Sequence, residues 1–339
     1  MHKAVLVAVA VALLAIGGCG GAALLAEALG LIKVADLVLE LKDRVTPDEE
    51  ETLTVLLDGY VVRTDAPNRA GALELAKLPT GQFLVSLVSA DRRSGWHGVV
   101  DIGGSGQREE VNPFSGPVIS GTVVRTTETA GQVPVANAVV VAFQNGADRL
   151  AAGQGPVGIG GLSTEGHMVA MTNDRGEYTL GPAAFGEWLV AAVMAGHFAD
   201  AETATVRAGA DVRGVKLTLQ PDVAARVGTV AGTIVSNSSG SPLTGALGRA
   251  DLGSAVSATV PAATRARVEA KTGLSLPAGA WFRWHFLATK SGAAGDYVLS
   301  VPSGPSRAWA YRFGYAGAYR DVAPSAGALV NVDFRLSTR

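Results

Sequence analysis

The sequence has few residues with which to cross-link the chain or to give it a strong charge. Its 339 residues include one cysteine, only 17% of them are charged, and the formal net charge is −2. A single cysteine excludes a disulfide framework within the chain. The lack of a basic excess removes any overall attraction to nucleic acid, so we expect no nucleic-acid partner.

Familiar catalytic and ligand-binding motifs are also scarce. Neither H-E-x-x-H nor G-x-S-x-G occurs, and the one cysteine, Cys19, lies near the N-terminus. The letters "GQGPVG" (153–158) match a dinucleotide-binding loop, but Pro156 lacks the amide that a phosphate would bind, and the residues that follow begin a helix poorly. "HFADAE" (197–202) is either a set of metal ligands or a surface turn. We favour the turn, and expect no metal, no cofactor and no enzymatic activity.

The first 21 residues have the order of an export signal. Lys3 precedes an uncharged apolar stretch from Ala4 to Ile16, and Gly17-Gly18-Cys19 follows. This stretch of about 13 residues suits a signal peptide and is short for a membrane span. It resembles a bacterial lipobox, which predicts a signal peptide over 1–18, a lipid on Cys19, and a location in the cell envelope outside the cytoplasm. The alternative is an ordinary secretory signal whose cysteine is incidental.

Residues 22–44 show a helical pattern. Lys33, Asp36 and Glu40 recur every three to four residues, and apolar residues occupy the other side. This predicts a short amphipathic helix that either docks on the first domain or lies on the membrane beside the lipid. An acidic connector, 46–52, comes next.

Two copies of one unit make up most of the remaining chain. Residues 121–138 and 232–246 begin alike, with Gly-Thr and two β-branched residues, and 172–180 and 290–299 share a Gly-acid-Tyr step. The matched residues are Pro134 with Pro242, Ala138 with Ala246, Gly176 with Gly295, and Tyr178 with Tyr297. A partial third copy lies at 63–90.

Short runs of alternating apolar and polar residues, separated by Gly, Pro, Asn and Asp, predict strands with one buried face. Open sheets cannot hide that face, so two sheets must pack together. We therefore predict an all-β fold of tandem Ig/transthyretin-like β-sandwiches. The domain organisation that we predict is a signal peptide over 1–18, a helix and acidic linker over 19–51, a partial or divergent sandwich over 52–114, a full sandwich over 115–221, and a second full sandwich over 228–339 with a helical insertion at about 249–280.

The repeated residues resemble the carboxypeptidase regulatory-like domain, a small transthyretin-like β-sandwich. The residues that carry the resemblance are Gly121, Pro134, Ala138, Asp174, Gly176, Tyr178 and Gly196 in one copy, and Gly232, Pro242, Ala246, Gly295, Tyr297 and Gly314 in the other. The resemblance implies no catalytic residues, and a scaffolding, adhesion or accessory role. This chain departs from the family by long insertions before each Gly-x-Tyr step, including 145–168 and a helix predicted over 261–274. We expect these insertions to make functional contacts, as loops often do.

The stretch "TNDRGEY" (172–178) offers acids to a metal or a catalytic pair, or it is a turn. Its counterpart in the second copy has Ala293 where the first has Asp174, while the glycine and tyrosine are kept. A turn needs only the glycine, for a positive φ, so we interpret Asp174, Gly176, Tyr178, Gly295 and Tyr297 as structural. We expect Asp174 to accept a local backbone hydrogen bond and Tyr178 to face the core.

The densest aromatic patch, "WFRWHFL" (281–287), includes Trp281, Trp284 and His285. One row of it is either core or an exposed platform on which sugar rings stack. The leading hypothesis is a non-enzymatic, lipid-anchored envelope protein that binds or scaffolds at the cell surface. The alternatives are a carbohydrate-binding surface protein, or an accessory subunit of a separate hydrolase or transporter. The expected partners are the membrane, through the lipid, and a polysaccharide or another envelope protein.

Overall fold

A computed structural model describes residues 34–41, 53–65, 71–103, 107–127, 131–155, 157–159, 167–222 and 225–338. The predicted signal peptide, Cys19, most of the predicted N-terminal helix and the acidic connector lie outside these residues. Within the described ranges, no helix is long and apolar enough to cross a bilayer. The prediction of an all-β fold is confirmed, because strands arranged in several sheets dominate the described residues.

The first domain contains eight strands in two sheets. They are β1 (Val34–Leu41), β2 (Leu53–Leu57), β3 (Tyr60–Asp65), β4 (Ala72–Pro79), β5 (Gly81–Ser89), β6 (Ser94–Ile102), β7 (Gln107–Val111) and β8 (Phe114–Ser115). One sheet has the order β4-β1-β7, and the other has the order β3-β2-β5-β6-β8. Leucines and valines of both sheets share one apolar core, as in a β-sandwich.

The helix predicted over 22–44 is wrong for Val34–Leu41, which forms β1. This strand pairs antiparallel with β4 and parallel with β7. Ala35, Leu37 and Leu39 are buried and alternate with partly exposed residues. The apolar residues of this segment fit both a helical spacing (i, i+3 or i+4) and a strand spacing (i, i+2). Hydrogen bonding to a strand on each of its edges stabilises the strand and not the helix.

The second domain contains the first repeat. Its elements are β9 (Ile119–Thr127), β10 (Gly131–Pro134), β11 (Val139–Gln144), α1 (Gly146–Ala151), β12 (Val157–Ile159), β13 (His167–Met171), β14 (Glu177–Leu180), β15 (Gly186–Val193), β16 (His197–Phe198), β17 (Asp200–Val206) and β18 (Val212–Pro221). One sheet runs β10-β9-β18-β16, with β14 also pairing with β9, and the other runs β13-β11-β15-β17. Strand β12 belongs to neither of these sheets.

The third domain contains the second repeat. Its elements are β19 (Val227–Ser236), β20 (Leu247–Val260), α2 (Ala262–Thr272), β21 (Gly279–Lys290), β22 (Asp296–Pro302), β23 (Ser306–Tyr311), β24 (Ala318–Val322), β25 (Leu329–Asn331) and β26 (Phe334–Leu336). One sheet joins β22, β19, β25 and β26, and the other runs β12-β21-β20-β23-β24. The helix predicted over 261–274 is present as α2, and Gly273 ends it with a φ of +71°. The helical insertion predicted over about 249–280 is wrong for 249–260, because these residues pair with β21 and β23 as part of β20.

The two repeats build the same connection across one of their sheets, where the central strands β9 and β19 each lie between the two joined strands. Tyr178 donates its hydroxyl hydrogen bond to the carbonyl of Val215 at 2.9 Å, and Tyr297 donates to that of Val332 at 2.8 Å. A Cβ at Gly121 would overlap the same Val215 carbonyl, and Gly232 stands in the same relation to Val332. Because the glycine has no side chain, the strand that carries this carbonyl can lie close beside it, and the tyrosine hydroxyl hydrogen-bonds to the same carbonyl.

The turn before each tyrosine is also shared. Gly176 and Gly295 have φ values of +72° and +77°, and a side chain at either would overlap a neighbouring backbone carbonyl. In the first turn, the side-chain acceptor is Asn173, which receives the backbone N–H of Arg175 and Glu177. The role expected of Asp174 is therefore filled by the residue before it, in the geometry of an Asx turn.

The second and third domains pack sheet against sheet. Strands β11 and β15 are buried on both faces: one face lines the core of the second domain, and the other joins the apolar cluster of the third. At this contact the rings of Phe143 and Phe282 stack with their centroids 5.8 Å apart. Strand β12, from the first insertion, extends the third domain's sheet by pairing parallel with β21. Both insertions thus make contacts within the chain in the parts that the structure describes.

Candidate functional site

The aromatic candidates of the third domain are mostly core. Trp281 and Trp284 are 0% and 4% exposed, so neither offers a ring face to a ligand. The Nε1–H of Trp281 donates to the carbonyl of Pro277 at 2.9 Å, which places the residues after α2 against the indole. His285 is half-buried, and burial lowers its pKa. The binding interpretation of the two tryptophans is therefore wrong, and the core interpretation describes them.

The acids of "HFADAE" do not lie in a surface turn. Asp200 and Glu202 are largely buried on β17, where they pair with Arg267 and Lys271 of α2. His197 makes a separate contact, with Nδ1 lying 3.1 Å from the carbonyl of Ala195. We call the set Asp200, Glu202, Arg267 and Lys271 the helix joint, since it connects α2 of the third domain to the second domain.

Asp200 is held by three groups. The Thr264 hydroxyl and the Arg267 guanidinium each lie 2.6 Å from Oδ1, and the backbone N–H of Thr218 donates to Oδ2 at 2.6 Å. Glu202 accepts from both basic side chains of the helix joint. The basic partners are only partly buried, with side-chain exposures of 40% for Arg267 and 50% for Lys271.

A second charged connection joins the first and third domains, and we call it the buried joint. It consists of Asp58 in the β2–β3 turn with Arg249 and Asp251 on β20. Arg249 Nε lies 2.6 Å from Asp58 Oδ2, and its Nη1 lies 2.9 Å from Asp251 Oδ1. The side chains of Asp58 and Arg249 are 0% and 4% exposed. Burial raises the pKa of Asp58 to about 7, although the positive charge of Arg249 acts to lower it.

Aromatic rings and backbone groups enclose the buried guanidinium. The Arg249 Cζ lies 4.1 Å from the ring centroid of Phe83 and 4.8 Å from that of Phe286, so it lies within cation–π distance of both rings. Its Nη2 donates to the carbonyl of Gln82 at 2.7 Å. Nearby, the Tyr60 hydroxyl contacts the third domain through the Ala288 carbonyl and the second through Asn137. All three domains therefore meet around this turn.

A cleft of about 470 Å³ lies between the first and second domains. The first domain contributes β6, β7 and β8, and the second contributes β13, the end of β11 and the start of β15. Its lining includes Trp96, Glu109, Glu110, Asn112, Phe114 and Gln144. Phe114 is 41% exposed, which is unusual for a large apolar side chain. The cleft is thus concave, partly aromatic and within the size range of small-ligand sites.

Local structure positions Trp96, which packs partly against the first domain's core. Trp96 lies two residues before Gly98 on β6, so the two share a face of the strand. A Cβ at Gly98 would overlap the six-membered ring of Trp96, so the indole lies across the glycine. His97 also lines the cleft, and its Nδ1 lies 2.8 Å from the Ser86 hydroxyl oxygen. Burial lowers the pKa of His97 to about 4, and the charge of Arg92 acts in the same direction.

A second cleft, of about 500 Å³, lies beside the helix joint. Its lining includes Asn145, Asp148, Glu187, Thr205 and Lys271. The walls are mainly polar, and Trp188, the aromatic residue among the described lining residues, is 3% exposed.

The joints and the clefts were not identified from the sequence. Each joint assembles residues from different domains, so no local spacing indicates it. One signal was available: Trp96 and Phe114 flank an acidic pair, Glu109 and Glu110, in a segment with few other aromatic residues. The prediction of an aromatic binding surface rested on the denser aromatic patch at 281–287 instead.

Comparison with known proteins places the chain in no family. No family model matches it, and no curated protein matches it. Among solved structures, the Bacillus anthracis TIE protein aligns with 89% of this chain at 12% identity and a TM-score of 0.21. This chain covers 50% of the length of that structure.

Two pilins are also similar. A streptococcal ancillary pilin aligns with 91% of this chain and 99% of its own length, at 11% identity and a TM-score of 0.22. The minor pilin of Streptococcus agalactiae aligns with 66% of this chain and 96% of its own length, at 14% identity and a TM-score of 0.22. Scores this low carry no argument about function.

Proposed function

We propose that this chain is a non-enzymatic, lipid-anchored protein of the bacterial cell envelope, in which three β-sandwiches form one rigid scaffolding and binding block. The second and third sandwiches are proposed to be carboxypeptidase regulatory-like domains. Its partners would be the membrane, through a lipid on Cys19, and a polysaccharide or another envelope protein. The observation that carries the proposal is the burial of side chains and a strand between the domains.

Several contacts support rigidity. Domains that share only small polar interfaces are expected to move relative to one another. Here an apolar cluster continues from the second domain into the third, and β12 is hydrogen-bonded into the third domain's sheet. The buried joint adds an ion pair that is withdrawn from water, and separating the first and third domains would expose it. Such a unit holds its surfaces at fixed distances, as a scaffold requires.

The rigid block is tested by calorimetry on the full chain in detergent. We expect one unfolding transition, with calorimetric and van't Hoff enthalpies that agree, because the domains unfold together. Two or three separable transitions would contradict a single block.

The anchor is tested by metabolic labelling with a fatty-acid analogue in a bacterial host. We expect wild type to be labelled and Cys19→Ala to be unlabelled and released from the membrane fraction, because the thiol is the acylation site. Equal labelling of the two proteins would remove the anchor from the proposal. A matched control is Ser105→Ala, a change of similar size at a position outside the signal region.

A further inference from the structure

We propose that the cleft between the first and second domains binds a neutral oligosaccharide. The inference rests on the proposed binding role and gives that role a site and a ligand class. It replaces the aromatic patch of the third domain, whose tryptophans are buried, as the place where a sugar would bind.

Two aromatic side chains of the cleft can contact the apolar face of a sugar ring. Phe114, on the short strand β8, is 41% exposed at the cleft and is the more accessible of the two. Trp96 lies on the other face of the sheet, where its indole covers Gly98 and packs partly against the first domain's core, and its remaining surface lines the cleft. Aromatic side chains that keep an apolar face accessible bury large areas at low entropic cost, which makes them effective binding surfaces.

The polar groups fit a ligand with many hydroxyls. Glu109 and Glu110 supply acceptors, while the amides of Asn112 and Gln144 supply donors as well as acceptors. A sugar hydroxyl both donates and accepts, so it can use both kinds of group. A cationic ligand would leave the amide donors unused.

The charges of the cleft disfavour an anionic ligand. No lysine or arginine is among the described residues that line it. The low pKa of His97 keeps that imidazole neutral at the pH of most envelopes, so it does not offset the two glutamates. An acidic polysaccharide would meet two carboxylates and no lysine or arginine among the lining residues, which disfavours binding.

Direct contacts between the first and second domains hold the two walls in place. Arg92 of the first domain donates to the carbonyl of Thr179 at 2.8 Å, and Arg93 lies 2.6 Å from the carboxylate of Asp211. The turn glycine Gly59 also approaches the backbone of Ala170 so closely that a side chain would crowd it. The cleft is therefore formed before any ligand arrives, which lowers the entropic cost of binding.

The test is isothermal titration calorimetry of the full chain in detergent micelles. The probes are cellohexaose, maltohexaose, mannohexaose and N-acetylchitohexaose, with hexalysine as a cationic arm and hexagalacturonate as an anionic arm. We expect at least one neutral hexasaccharide to bind and hexagalacturonate not to bind. Phe114→Ala and Trp96→Ala should each weaken that binding about tenfold, the loss of a stacking contact worth about 1.4 kcal/mol.

Two further variants separate a binding role from a structural one. Gly98→Ala keeps every lining side chain but displaces the indole of Trp96, and should weaken binding as Trp96→Ala does. Phe313→Ala is the matched control: Phe313 is 40% exposed and lies in the third domain, so binding should stay within twofold of wild type. Glu109→Gln, which conserves shape, should weaken binding less than Phe114→Ala.

Several results would overturn the inference. They are binding by none of the neutral hexasaccharides, binding by hexalysine alone, or wild-type affinity in both Phe114→Ala and Gly98→Ala. Should Gly98→Ala fail to fold, Phe114→Ala decides the question, because Phe114 is 41% exposed and its truncation should leave the fold intact. Failure here is distinguishable from failure of the proposed function, which is decided by acyl labelling and by the number of unfolding transitions.

Discussion

The buried joint and the helix joint use the same kind of ion pair in different surroundings. In the buried joint, Arg249 is 4% exposed and Asp58 is 0% exposed. In the helix joint, Arg267 is 40% exposed and Lys271 is 50% exposed. Water screens the charges of the helix joint but not those of the buried joint. Ion pairs of equal length therefore contribute differently to the stability of the fold in the two places. Counting ion pairs across the domains would miss this difference.

The two joints also differ in what surrounds them. Beside the helix joint, the stacked Phe143 and Phe282 and the added strand β12 hold the second and third domains together. The buried joint lies among aromatic rings, so its charges are part of the core itself. We infer that charge is supplementary at the helix joint and obligatory at the buried joint.

The largest effect should come from Arg249→Met, which leaves Asp58 buried without its partner. We expect the free energy of unfolding to fall by about 3–5 kcal/mol at pH 8, because the buried Asp58 carboxyl must then either keep an uncompensated charge or take up a proton, and both are costly. Urea denaturation at constant m-value measures it. The same loss should persist in high salt, because ions do not reach the pair.

A double-variant cycle with Asp58→Asn tests the cause. Asparagine suits this turn, where φ is +52°, and keeps an acceptor for the Leu84 N–H. The double variant should be more stable than Arg249→Met alone, since no charge is left buried. Equal losses in the single and double variants would mean that lost packing, and not charge, explains the effect.

A pH-dependent effect follows from the raised pKa of Asp58. The unfolded carboxyl has its ordinary pKa of 3.8, and the folded one has a pKa of about 7. Between these values the folded state binds the extra proton, so the stability contributed by Asp58 is present below about pH 4 and is lost as the pH rises through about 7. Relative to Asp58→Asn, the wild type should therefore lose stability over this range and change little above it.

Urea titrations of wild type and Asp58→Asn from pH 4.5 to 8 measure this effect. Other groups titrate alike in both proteins and cancel in the difference between them. Parallel curves would show that Asp58 stays ionised throughout, and the two joints would then differ in exposure but not in proton binding.

Local and repeated signals account for what the sequence predicts well. Gly176 and Gly295 need a positive φ in a short turn, and the tyrosine two residues later alternates into the core. These requirements are met within a few residues and occur twice. Asp174 shows the limit of such reasoning, because the neighbouring Asn173 competes for the same backbone donors and receives them.

Long-range pairing accounts for the errors and omissions. Residues 34–41 fit both a helical and a strand pattern, and only the pairing with β4 and β7 decides between them. Asp58 and Arg249 meet only after the first and third domains pack, and Trp96 lines a cleft only when β13 lies opposite. No spacing in the sequence encodes these distances, so the joints and the cleft had to be found in the folded chain.

The smallest effects should come from single changes in the helix joint. Arg267→Ala leaves Asp200 bonded to Thr264 and to the Thr218 N–H, and Lys271→Ala leaves Glu202 paired with Arg267. Because no carboxylate is left without a partner, each change should cost at most about 1 kcal/mol. The loss should shrink in 0.5 M salt, in contrast to that of Arg249→Met.

The double variant Arg267→Ala/Lys271→Ala should cost more than the sum of the two single changes. It removes both partners of Glu202, a side chain with only 11% exposure, and so creates at this joint the condition that Arg249→Met creates at the other. Urea denaturation of all three proteins, with Arg265→Ala as a control on the same helix, measures the excess. If the two losses of stability were strictly additive, water would have to reach Glu202 once its partners are gone. The exposure of the basic partners alone would then not explain how much each joint contributes to stability.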